Sequence, residues 1–94
     1  MINGTDDHTL EEQIRSFVAA NLLYSPDGFA YANDASFLQE GIIDSLGVMH
    51  LVEFVQHNCH VAVAQHEVTP ENFDSVARLA EFIRRKRQGN SANQ

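Results

Sequence analysis

Gly41-Ile42-Ile43-Asp44-Ser45-Leu46-Gly47 is the stretch whose reading decides how this chain folds. It closes an irregular, acidic segment, and from Ser45 a helix can run to about Asn58. A serine at such a start is ordinarily an N-cap, its oxygen accepting from a free backbone N–H of the first turn. The positive end of the helix also favours an anion there, including a phosphate carried on the serine itself. On a helical wheel Val48, Leu51, Val52 and Val55 fall together, which makes theirs the predicted core face. Gly47, His50, Glu53 and His57 fall opposite, with Leu46 among them and Met49 at the boundary. Leu46 is therefore expected to be exposed beside Ser45.

Upstream, Thr9-Leu10-Glu11-Glu12 has the form of a capping box. Leu10, Ile14, Phe17, Val18 and Leu22 then share one helical face, predicting a first helix that Pro26 stops. Residues 25–44 form a long connection, in which Asp34 caps a single turn through Phe37 and Leu38 that Gly41 ends. Loops of this length are uncommon unless functional. Phe29, Tyr31, Phe37, Leu38, Ile42 and Ile43 are expected to pin this one to the core. Downstream, His60-Val61-Ala62-Val63 has no second strand to pair with and reads as extended loop. Thr69-Pro70-Glu71 starts a helix of about one turn, cap followed by N1 proline. Asp74 or Ser75 caps a last helix whose Val76, Leu79, Ala80 and Ile83 face inward. Arg84-Arg85-Lys86-Arg87 is placed at its C-terminal end, as a solvated cap that complements the helix dipole. One domain, residues 9–87, is expected between polar tails 1–8 and 88–94.

Ninety-four residues suffice for one modest core and not for a cleft with walls of its own. The net charge is −7, and twelve of the thirteen acids but only Arg15 among the bases lie in residues 1–77. An acidic body repels nucleic-acid phosphates and suits basic protein partners. A single cysteine excludes an internal disulfide. The polar N-terminus lacks an apolar signal region, and no run approaches the ~20 apolar residues of a membrane span. The expected location is the cytoplasm, without membrane attachment.

Two chemistries are set aside. His57, Cys59, His60 and His66 lack the paired-Cys or His-x₃₋₅-His spacing of structural zinc, and Cys59 reads as a small buried residue ending the second helix. Asp44-Ser45-Leu46 resembles one hydrolase signature. However, no glycine precedes the aspartate, no Gly-x-Ser-x-Gly elbow is present, and the chain is too short for a substrate pocket with an oxyanion hole.

The chain resembles acyl and peptidyl carrier proteins. The resemblance rests on Phe37-Leu38-x-x-Gly41-Ile42-Ile43-Asp44-Ser45-Leu46 and on Thr69-Pro70-Glu71-Asn72-Phe73-Asp74-Ser75-Val76, and it covers roughly residues 10–86. It implies an all-α four-helix bundle with a short third helix and a long loop between helices one and two. It also implies a non-catalytic monomer, with no metal and no catalytic residue. By the same likeness a phosphopantetheinyl transferase joins 4′-phosphopantetheine from coenzyme A to Ser45, and Asp44 helps to orient that transferase and its magnesium. The thiol then carries acyl or aminoacyl thioesters among loading and elongating enzymes. Leu46, Met49, His50 and Glu53 are the expected partner contacts. Within the second helix Glu53 is the sole acid, where carriers of primary fatty acid synthesis show an acidic stripe. That departure fits a specialised discrete carrier for polyketide, nonribosomal peptide or modified-lipid assembly. The competing readings are an unmodified helical docking module, with Ser45 only a cap, and a degenerate carrier acting in regulation.

Overall fold

The computed structural model describes the backbone of residues 6–92 and the side chains of residues 10–88. It contains α1 (Asp6–Asn21), α2 (Ser45–Asn58), α3 (Pro70–Phe73) and α4 (Val76–Ala92), with a 3-10 turn at Gln65–Glu67. No strand occurs among the described residues, so the fold is all-α. No described helix is long and apolar enough to cross a membrane.

Helix α1 starts earlier than its capping-box pattern implies. Residues 6–8, expected in the tail, are helical, and Thr9 stands inside the helix instead of at its cap. Residues 1–5 of that tail lie outside the described residues. At its other end α1 stops at Asn21, before Pro26 can act. The Leu22 and Leu23 N–H groups both donate to Val18 O, at 3.0 and 2.9 Å, and the Ser25 N–H to Ala19 O at 2.8 Å. Tyr24 takes the left-handed φ of +52° that lets the chain curl back.

Ile14 and Val18 of α1, Leu51 and Val55 of α2, and Leu79 and Ile83 of α4 are fully shut off from water. Helix α4 packs on both α1 and α3, while Phe17 of α1 stacks on Phe54 of α2 with ring centroids 4.5 Å apart. Phe54 is thus a core residue that the wheel did not assign. Gly47 corrects the wheel outright: it is buried, not on a polar face, because the first turn of α2 leans on Ile43. Val48, expected in the core, is only half-buried.

The long connection is anchored by Phe29, Phe37, Ile42 and Ile43, all buried, whereas Tyr31 and Leu38 remain exposed against expectation. Arg15 fastens its first half, donating to Phe29 O (2.7 Å), Tyr31 O (2.8 Å) and Asn33 Oδ1 (2.8 Å) while its guanidinium covers the Phe29 ring. The single turn is capped by Ser36 and not by Asp34: Ser36 Oγ accepts from the Gln39 N–H at 3.1 Å. Gly41, at φ +69°, ends it as a glycine can. Asp74 ties this turn to the start of α4, its Oδ1 accepting from the Leu38 N–H at 3.0 Å and its Oδ2 from Ser36 Oγ. The cap of α4 therefore falls to Ser75, whose Oγ accepts from the Arg78 N–H at 3.0 Å.

The basic run is not a solvated helix end. Helix α4 continues to Ala92, through most of the expected tail, so Arg84 to Arg87 sit within its body. Arg84 forms a forked pair with Glu11 (2.7 and 3.0 Å) and Lys86 holds Glu67 (3.0 and 2.9 Å). Arg85 donates to Asn72 Oδ1 at 2.9 Å and Arg87 to Cys59 O at 3.2 Å. Successive residues of one helix thus clamp α1, the 3-10 turn, α3 and the C-terminal end of α2, because residues at helical spacing point in different directions.

Candidate functional site

Ser45 is the first residue of α2 but not its cap. Asp44 occupies that position in extended conformation, and its Oδ1 accepts from the Gly47 N–H at 2.9 Å. The helix also opens from Asp44, whose carbonyl takes the Val48 N–H at 3.1 Å. With aspartate satisfying the orphan donor, the serine hydroxyl has no structural task. Ser45 is exposed, and among the described residues nothing bonds its hydroxyl. The expectation that Ser45 caps the helix is corrected by this exchange of roles. An aspartate one position earlier is as good a cap and also places its negative charge at the positive end of α2.

Ser45 lies on the rim of a groove of about 290 Å³ between α2 and α3. Val48 and Met49 form one wall, Val68, Thr69, Pro70 and Phe73 the other, and Leu38 and Asp74 one end. The lining is mostly apolar, with Ser45, Thr69 and Asp74 its polar members. Thr69 Oγ1 is buried with no hydrogen-bond partner. Threonine is a strong capping type, and Thr69 stands at the N-cap of α3, yet its side chain makes no capping bond. Its backbone carbonyl takes the Asn72 and Phe73 N–H groups instead, at 3.0 and 2.9 Å.

On the other side of Ser45 a second, more polar cleft of about 320 Å³ runs between the end of α1 and the start of α2, past Tyr24, Ile43, Leu46 and His50. Of the five large apolar side chains exposed among the described residues, Tyr24, Leu38, Leu46 and Met49 line one or other of these two hollows. Leu46 is 66 % exposed, as its wheel position predicts, and Met49, placed at the boundary of the wheel, is 55 % exposed. His50 and Glu53 are exposed on the same helix. The structure thus places Asp44, Ser45, Leu46, Met49, His50 and Glu53 along one accessible side of α2. Tyr24, Val68, Thr69 and Phe73 were missed from sequence, because only the folded chain brings residues so distant in sequence next to α2.

His57, Cys59, His60 and His66 do not converge. Cys59 is buried, as its position predicts, while the three histidines are exposed. Among the described residues no three His, Cys, Asp or Glu side chains group together as metal ligands would. Burial pushes the Cys59 thiol up from its ordinary pKa, although nearby Arg87 works the other way.

No protein-family model matches the chain. A search of curated proteins likewise finds no match to it.

Proposed function

We propose that this chain is a carrier protein of the acyl or peptidyl type, with 4′-phosphopantetheine attached at Ser45. The observation that carries the reading is the division of labour at the start of α2. Asp44 does the capping, and an idle, exposed serine hydroxyl is left at the helix N-terminus on the rim of an apolar groove. The residues present fit a phosphate-linked arm. A phosphodiester on Ser45 meets the positive end of α2, the groove offers cover to an aliphatic chain, and Thr69 Oγ1 is a buried polar atom in want of a partner.

In this reading a separate transferase brings coenzyme A. Ser45 Oγ loses its proton and bonds to the phosphorus that bears the pantetheine arm, and the bond to the adenosine bisphosphate half breaks. When bound, the arm supplies a thiol for thioester chemistry, while the protein supplies position. Asp44 holds the first turn of α2, and so Ser45, in a fixed place. Leu46 and Met49 give visiting loading and elongating enzymes small apolar anchors beside the attachment point, with His50 and Glu53 as polar rim. Tethering keeps the cargo at high effective concentration for each partner. The single acid on α2 favours a specialised discrete carrier over one of primary fatty acid synthesis. The four helices, the four-residue α3 and the long α1–α2 connection support the reading.

Incubation with coenzyme A and a broad-specificity phosphopantetheinyl transferase, followed by intact mass measurement, tests the proposal. The expected result is a gain of one phosphopantetheine that disappears in Ser45→Ala. No gain with several transferases overturns it. The unmodified docking module relied on Ser45 being a helix cap, and with Asp44 in that role it loses its account of the serine.

A further inference from the structure

We infer that the exposed side of α2 reverses its charge in mild acid, when His50 and His57 take up protons, and that this reversal weakens docking of the phosphopantetheinyl transferase. The inference rests on the carrier reading of Ser45 and adds a regulation of that same site.

Helix α2 holds three side chains that can bear charge within this range, and all three are exposed: His50, Glu53 and His57. With Leu46 they follow at steps of four, three and four residues, so the four form one stripe along the helix. Among the described residues no ion pair or side-chain hydrogen bond engages His50, Glu53 or His57, which leaves the stripe open to a visitor. One carboxylate against two imidazoles gives α2 a charge of −1 with both rings neutral and +1 with both protonated. Imidazole is the side chain whose charge changes between pH 5 and 8.

The surroundings add little that would mask the change. His50 lines the cleft between the end of α1 and the start of α2, where Asp44 and Tyr24 are the other titratable side chains. Helix α1 meets α2 through the uncharged Phe17, stacked on Phe54. At the far end of α2 the groups about His57 are His60 and Arg87 of α4, whose guanidinium donates to Cys59 O. With both rings neutral this side is acidic, like residues 1–77 as a whole, which hold twelve acids and only Arg15 among the bases.

Charge complementarity names the occupant. Coenzyme A carries phosphates, and a transferase holds phosphates with cationic side chains. Ser45 reaches the phosphorus only if the start of α2 lies beside those cations. A negative α2 face is drawn toward them and a positive one is repelled.

The test measures kcat and KM of a broad-specificity phosphopantetheinyl transferase for the apo chain at pH 6.0 and 7.5. Wild type is compared with His50→Gln/His57→Gln and with His50→Lys/His57→Lys. The transferase's own titration affects all three chains alike, so the readout is the KM ratio between the two pH values for each chain. The wild-type ratio is expected to exceed that of the Gln pair by about fivefold, the weight of two exposed charge contacts. The change falls on KM, as loss of docking does. At pH 7.5 the Lys pair raises KM by a similar factor over wild type, and added salt shrinks both differences. Equal ratios in wild type and the Gln pair overturn the inference and leave the carrier reading standing, as does a difference that persists undiminished in high salt. No mass gain on any of the three chains sinks the carrier reading, and the regulation with it.

Discussion

Gly47 shows how one missing methyl group holds the attachment residue in place. A Cβ at this position would run into Ile43 Cγ2, a stiff β-branched methyl that cannot swing aside cheaply. Helix propensity by itself favours Gly47→Ala by about 1 kcal/mol. The collision should reverse the sign, because overpacking of a closed site costs roughly 1–3 kcal/mol. Urea denaturation of Gly47→Ala is expected to show a lowered midpoint with an unchanged slope; a raised midpoint would mean that the first turn of α2 does not rest on Ile43. His60 is another residue shaped by its backbone. At φ +58° it ends α2 in the left-handed conformation that glycine adopts without strain, and the sequence names no glycine there.

Among the elements, the 3-10 turn matters most to the groove, because it carries the chain into Val68 and Thr69. Its Glu67 carboxyl is held below the usual carboxylate range, first by the Ala64 N–H and then by Lys86. A depressed folded-state pKa means that the unfolded chain binds this proton more readily. The contribution is thus complete above the ordinary value of 4.5 and is lost as pH falls through the lower folded value. Glu67→Gln should flatten that acid limb of the stability–pH curve. At neutral pH it should cost less than about 1 kcal/mol, since water screens much of the pair. Thermal unfolding of both proteins between neutral and acidic pH checks this, and parallel curves would show that the clamp contributes nothing.

For the molecule as a whole, the long connection is part of the core and not a strap over it. Phe37 is fully buried, packs edge-on to Phe29, and its N–H donates to Asp74 O at 2.8 Å. Phe37→Ala is therefore expected to destabilise the entire fold by about 3–5 kcal/mol in a single transition, as core phenylalanines do. A loss confined to local mobility in residues 25–44, seen by amide exchange with global stability intact, would make the connection an accessory.

The sequence by itself determined what depends on near neighbours. Helical periodicity placed α1, α2 and α4, proline and its preceding threonine placed the one-turn α3, and the wheel placed Leu46 outside. Tertiary structure decided what depends on residues far apart in the chain. Asp74 bound the turn of the long connection. The basic residues of α4 found Glu11, Glu67, Asn72 and Cys59, and Thr69 came to rest in the wall of a groove that begins at Ser45. Local preferences reach about one helical turn, whereas a groove can form only when distant segments pack together.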